Sequence, residues 1–124
     1  MNNDEIEIYI VIINKYKIMN IFYINMERPD KKMINRTEIK ANTNDRFYRR
    51  GRELYDLGKV LNIDVIEEDE FDSVVAEVKG SGRNIYEVKL EINEEYIESY
   101  HCTCPAAASY YNMCKHCVAS ALEY

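Results

Sequence analysis

All four cysteines of this chain, and one of its two histidines, fall within residues 102–117. They form Cys102-Thr103-Cys104, a nine-residue gap (105–113) that opens with Pro105, and then Cys114-Lys115-His116-Cys117. Thiolate sulfur and neutral imidazole are the ligands that suit zinc, and four of them close a tetrahedral structural site. This pattern constrains the fold more than any other feature of the chain, because two separate segments must meet at one ion. In Cys102-Thr103-Cys104 a strand end that bends sharply can turn both sulfurs onto an ion about 2.3 Å away. Pro105 supports such a bend. Cys114 stands just ahead of a helical pattern and His116 in its first turn. There the partial positive charge of a helix N-terminus favours thiolates.

Five candidate ligands compete for four places. The preferred set is Cys102, Cys104, Cys114 and His116, and the rival set exchanges His116 for Cys117. The helix pattern wants an apolar residue at 117, and a free cysteine serves as a small buried hydrophobe. His101 precedes the bend, so its side chain is expected on the other strand face, exposed. Other chemistries fit less well. Cys114-Lys115-His116-Cys117 is a C-x-x-C, but a thiol–disulfide oxidoreductase wants a thioredoxin-like βαβ context, and Cys102 and Cys104 would stand idle. A haem attachment needs His directly after the second cysteine, where Val118 stands. An iron–sulfur cluster normally uses cysteine alone.

A chain of 124 residues, 47% hydrophobic and 31% charged, makes one soluble domain with room for a tail. The net charge of −6 argues against the whole chain as a polyanion binder. The charge is uneven, however. Residues 45–60 hold five basic side chains (Arg46, Arg49, Arg50, Arg52, Lys59) against three acidic ones. Residues 61–100 hold three basic against twelve acidic. The plain reading is a helix of mixed charge and a solvated acidic sheet face. The sharper one is a local arginine patch for phosphate or an acidic partner. The opening residues lack a basic n-region and a small-residue cleavage site, and no apolar run reaches the ~18–20 residues of a membrane span. A reducing, cytoplasmic location is expected, where cysteines serve as thiols or metal ligands.

Residues 1–42 form an N-terminal extension. Its β-branched stretches Ile6–Ile13 and Ile18–Ile24 can be read as a β-hairpin, a leader or a strand added to a sheet edge. Pro29-Asp30 marks a turn or linker. Thr43, Asn44 and Asp45 offer N-cap side chains. Phe47, Leu54 and Leu57 then keep helical spacing, with Tyr48 and Tyr55 alongside, and Gly58 reads as the stop. Gly51 in mid-helix costs up to ~1 kcal/mol against Ala, and close packing of this helix on a sheet would explain it. Strands are expected at 60–66, 71–79, 85–92 and 96–100, with turns at 67–70, 80–84 and 93–95. Tyr86, Val88, Leu90 and Ile92 alternate with Glu87, Lys89 and Glu91, the mark of an antiparallel sheet with one face in water. After Cys114 a helix buries Val118, Ala119, Ala121 and Leu122. The sequence stops barely past it, as a module of something longer would.

No catalytic constellation emerges. Glu67-Glu68 and Glu94-Glu95 lie in turns, Gly80-Ser81-Gly82 is a hairpin turn rather than a phosphate loop, and four amino-acid ligands leave a zinc ion no open position. Tyrosines interleave with arginines over 46–55. Such a mixture can stack on and hold single-stranded nucleic acid, although packing of the helix on the sheet is the preferred account of these tyrosines.

The motif C-x-C-P…C-K-H, followed by small apolar helix residues, resembles the SWIM zinc-finger family. The likeness extends upstream, through the helix Arg49–Val60 and the hairpin Val75–Gly82 with Tyr86–Leu90, and covers roughly residues 43–124. It implies zinc ligation by Cys102, Cys104, Cys114 and His116. Cys117 departs from the family, which usually carries an aliphatic residue there. It also implies a non-catalytic module that binds DNA or protein, in bacteria often at the N-terminus of a Swi/Snf-type helicase.

The expected fold is therefore α+β: an N-terminal helix, an antiparallel meander of three or four strands, and a zinc-stapled short C-terminal helix over residues 43–124. The expected function is a zinc (Zn2+) module, not an enzyme, that binds DNA or a protein and takes no small-molecule substrate. Arg46, Arg49, Arg50, Arg52 and Lys115 are the candidate contacts. A protein-interaction module with purely structural zinc and a thiol redox or metal sensor are the alternatives.

Overall fold

Helix α1 (Arg36–Ala41) and helix α2 (Asp45–Asp56) lead into strands β1 (Val60–Glu67), β2 (Asp72–Lys79), β3 (Ile85–Asn93) and β4 (Tyr96–Cys102). A 3-10 turn (Pro105–Ala108) and helix α3 (Lys115–Glu123) complete the chain. The computed structural model describes residues 31–124. The stretches at Ile6–Ile13 and Ile18–Ile24, read as a hairpin, lie outside the described residues. The compact unit runs from Lys32 to Tyr124, so it begins ahead of the boundary expected at residue 43. Ile34 and Ile39 are the reason: both are buried in the core. Helix α1, capped by the Asn35 side chain on the Thr37 amide, went unread in the sequence because six residues are too few to show periodicity.

Helix α2 begins where its side chains dictate. Of the three cap candidates it is Asn44 that accepts from the Phe47 amide, at 2.8 Å. It ends at Gly58, whose φ of +68° is open to glycine without steric cost. There Gly58 N–H donates to Tyr55 O and Lys59 N–H to Leu54 O, the paired bonds of a Schellman stop.

The four strands form one antiparallel sheet in the order β1-β2-β3-β4. The α+β architecture is as the sequence predicts. Period-two alternation sorts the residues. Val74, Ala76 and Val78 of β2 and Val88, Leu90 and Ile92 of β3 are buried, while Glu77, Glu87, Lys89 and Glu91 face water. Register places Glu77 opposite Glu87 and Lys89 opposite His101 on the wet face. The edge of β4 is closed from the side, because the Ile97 amide donates to the Glu38 carboxylate of α1 at 2.8 Å.

Helix α3 lies between the sheet and α2. Both its sides are therefore covered, and His116 through Ala121 are all buried. Ala119, Ser120 and Ala121 suit this double burial by being small, and the Ser120 hydroxyl donates to the His116 carbonyl at 2.8 Å. One expectation needs correction here. Gly51 does not meet the sheet: a Cβ there would stand 2.5 Å from Val118 Cβ and 2.8 Å from the Lys115 carbonyl oxygen. The close approach is helix on helix. Tyr48 packs on the core from the flank of α2.

Candidate metal centre

The two ligand segments are delivered by different devices. Cys102 ends β4 opposite Val88 and so points into the core side of the sheet. Thr103 prolongs the pairing with β3: its amide donates to Glu87 O at 3.1 Å and its hydroxyl accepts from the Glu87 amide at 3.0 Å. The chain then turns. Cys104 precedes a 3-10 turn whose first residue is Pro105, where proline's missing N–H costs nothing. The Cys104 amide points back at Cys102 Sγ, 3.4 Å away, and favours a thiolate there. On the other side Cys114 caps α3 and His116 sits in its first turn.

These devices bring Cys102 Sγ, Cys104 Sγ, Cys114 Sγ and a ring nitrogen of His116 within 4.8 Å of one another, all four residues buried. Nδ1 of His116 lies 3.8 Å from Cys102 Sγ and 3.7 Å from Cys114 Sγ. A tetrahedral zinc ion with its ordinary bond lengths sets ligand–ligand edges of about 3.6–3.8 Å. Those two edges match, every pair lies within 4.8 Å, and the cluster could hold a metal ion. A cavity of about 280 Å³ borders the three ligand sulfurs, with Tyr100, Ala107 and Asn112 on its rim, and offers an access route.

The electrostatics of the bare cluster point the same way. The Cys114 thiol is held far below its ordinary value, first by hydrogen bonds from Cys102 and Cys117 and also from His116. Cys102 is pushed up to about 12, chiefly by its bond to Cys114. Cys104 is raised, chiefly by burial. Sulfurs this close oppose one another's ionisation. A divalent cation held at the centre would remove that restriction, and its binding would release thiol protons.

Cys117 stands beside the cluster. Its sulfur is 3.7 Å from Cys114 Sγ and 3.8 Å from the His101 carbonyl oxygen, and its thiol is raised by its bonds to Cys102 and Cys114 and by burial. It belongs to the buried core cluster. The His101 side chain is exposed, as its strand position predicts.

The sequence had not tied Tyr86 to this site. Its ring lies 4.8 Å from the His116 imidazole, tilted by 49°. It reaches that position across Gly80, where a Cβ would come within 2.4 Å of the ring. Ligation through Nδ1 would leave the proton of His116 on Nε2, an atom that is buried with no hydrogen-bond partner. A strand tyrosine and a turn glycine carry no sequence signal of this contact, which only the register of β2 on β3 creates.

The remaining candidates are not members of the cluster, although Lys115 stands between Cys114 and His116 in the chain. Arg46, Arg49, Arg50 and Arg52 are all exposed on α2, and Arg52 stands 3.9 Å from the Asp56 carboxylate. Lys115 opens α3 half-buried, its carbonyl turned toward Gly51. No helix among the described residues is long and apolar enough to cross a membrane. Comparison with family models, with curated proteins and with solved structures found no match to this chain.

Proposed function

We propose that the chain is a non-catalytic binding module of the SWIM type, held together by one zinc ion. Its partner is DNA or a protein, and it serves a larger nucleic-acid-processing protein of helicase kind. The observation that carries this reading is the buried set of three cysteines and one histidine, sized for a tetrahedral ion. A set of four amino-acid ligands closes the coordination sphere, so the ion acts by joining β4 to α3 rather than by activating water. Small domains with modest cores draw much of their stability from such a staple.

Metal content per chain tests it, by elemental mass spectrometry on the wild type, His116→Ala and Cys117→Ala. One zinc in the wild type, lost in His116→Ala and kept in Cys117→Ala, is the expected result. A metal-free wild type, or loss only in Cys117→Ala, would overturn the ligand assignment. A thiol redox or metal-sensing pair is favoured by one distance, the 3.7 Å between the sulfurs of Cys114 and Cys117. It predicts a reversible disulfide, and thiol labelling that does not change after mild oxidation removes it.

A further inference from the structure

The loop between the two ligand pairs carries Tyr110 and Tyr111. Tyr111 is 99% exposed, and Tyr110 is 52% exposed. A tyrosine ring left wholly in water contributes no burial to the fold. Yet the backbone that presents it is held from both sides. The Tyr100 hydroxyl donates to the Tyr111 carbonyl at 2.6 Å. Two residues on, the Met113 amide donates to Asn42 O at 2.9 Å, and the Thr43 hydroxyl donates to Met113 O at 2.8 Å. The Tyr110 ring meets Phe47 edge to face, centroids 5.1 Å apart. The loop is thus docked on the first turn of α2, with the Tyr111 ring directed outward.

That end of α2 is basic. Arg46 neighbours Phe47 in the chain, Arg50 lies one turn further on, and Arg49 stands between them, all exposed. Among the described residues none of these three forms an ion pair, whereas Arg52 lies within ion-pair distance of Asp56. The acidic side chains Asp64, Glu77, Glu87 and Glu91 are exposed on strands of the sheet, which α3 separates from α2. A polyanion is repelled from the sheet and drawn to the helix.

We infer that the Tyr110–Tyr111 loop and Arg46, Arg49 and Arg50 form a binding surface for single-stranded nucleic acid. Unpaired bases stack on Tyr111 and the arginines neutralise backbone phosphates. An exposed aromatic ring finds a partner face on an unpaired base but not inside a duplex. Guanidinium groups without an acidic partner match phosphate oxygens through paired N–H donors. The inference rests on the metal reading, because Cys104 and Cys114 anchor the two ends of this loop.

Fluorescence anisotropy on the full chain loaded with zinc tests it. The probes are labelled oligothymidylate and oligouridylate of about 16 nucleotides and a duplex of the same length. Oligothymidylate or oligouridylate is expected to bind more tightly than the duplex, and their order tells DNA from RNA. Tyr111→Ala is expected to weaken binding on the order of 10- to 100-fold, and Tyr111→Phe to keep it. Affinity should fall steeply between about 50 and 200 mM salt, with a slope shallower by roughly 2 when Arg46, Arg49 and Arg50 are all changed to alanine. Wild-type affinity in Tyr111→Ala, preference for the duplex, or no binding at low salt overturns the surface. Zinc content measured on the same samples separates the two readings. A wild type that holds zinc but binds no oligonucleotide overturns this surface and leaves the metal module standing. A wild type without zinc overturns the metal reading itself.

Discussion

Replacing Gly51 with alanine sets two effects of opposite sign against each other. In an exposed helix interior the change would stabilise, because alanine is favoured over glycine by ~0.8–1 kcal/mol. At this crossing the new methyl would stand 2.5 Å from both Cβ and Cγ1 of Val118 and 2.8 Å from the Lys115 carbonyl oxygen. Carbon atoms settle at about 3.5–4.0 Å, so α2 and α3 must part by roughly 1 Å. Rotation of Val118 can move its Cγ1, but its Cβ and the Lys115 backbone oxygen move only with the helix. Because the clash includes backbone, the cost falls in the upper part of the usual overpacking range, about 2–3 kcal/mol. Set against the gain in propensity, it leaves a net loss of about 1–2 kcal/mol. For a domain of this size each kcal/mol shifts Tm by ~4–8 °C, so a fall of about 5–15 °C is expected. Thermal unfolding followed by circular dichroism, at one fixed excess of zinc, measures it. The companion variant Gly51→Ala with Val118→Ala should recover only part of the loss, because it removes the Cγ1 contact but leaves the Cβ of position 118 and the Lys115 oxygen in the way. A Gly51→Ala protein as stable as the wild type, or more so, would refute the argument: the helix crossing would then not be as close as the structure has it.

Two other perturbations probe the frame around the site. Asn44→Ala removes the side chain that accepts from the Phe47 amide, and should lower stability by ~1 kcal/mol in chemical denaturation. A smaller loss for Asn44→Gly would identify the cap as the cause. Tyr124 is buried, and its hydroxyl donates to Asp72, 2.5 Å away. Burial first, and then that bond, push its phenol up from 10.0 to about 12. A raised value favours the protonated form in the folded state. The associated stability is therefore complete below about pH 10 and is lost as pH climbs toward 12. Comparing ultraviolet phenolate titrations of wild type and Tyr124→Phe should show one late-ionising tyrosine missing from the variant. If both curves coincide, the Tyr124–Asp72 bond is not formed in solution.

Much of the architecture could be read in advance because local chemistry decides it. Alternation across Tyr86–Ile92 marks which face of β3 is wet, since side chains on a strand point to opposite sides whatever lies beyond. Asn44 and Gly58 bracket α2 through bonds to their own neighbours, within five residues. The cysteine pairs point to a shared site because their spacing and donor types suit one ion, and the structure brings Cys102, Cys104, Cys114 and His116 together. Where the reading went astray, the cause lay at a distance in the chain. Gly51 signalled a close neighbour but could not say that it is α3 rather than the sheet. Ile34 and Ile39 carry no periodic pattern, yet the core reaches back to include them.

The sequence by itself determined the element types, the wet and dry faces of the sheet, and the ligand residue types with their spacing. These depend on periods, caps and donor chemistry that act over a few residues. Only the tertiary structure decided that α3 is covered on both sides, that Tyr86 lies against His116 across Gly80, and that Tyr111 stands outward at the arginine-bearing end of α2. Those relations join residues far apart in the chain. They are settled by which surfaces bury each other and by strand register, and neither is encoded in any one segment.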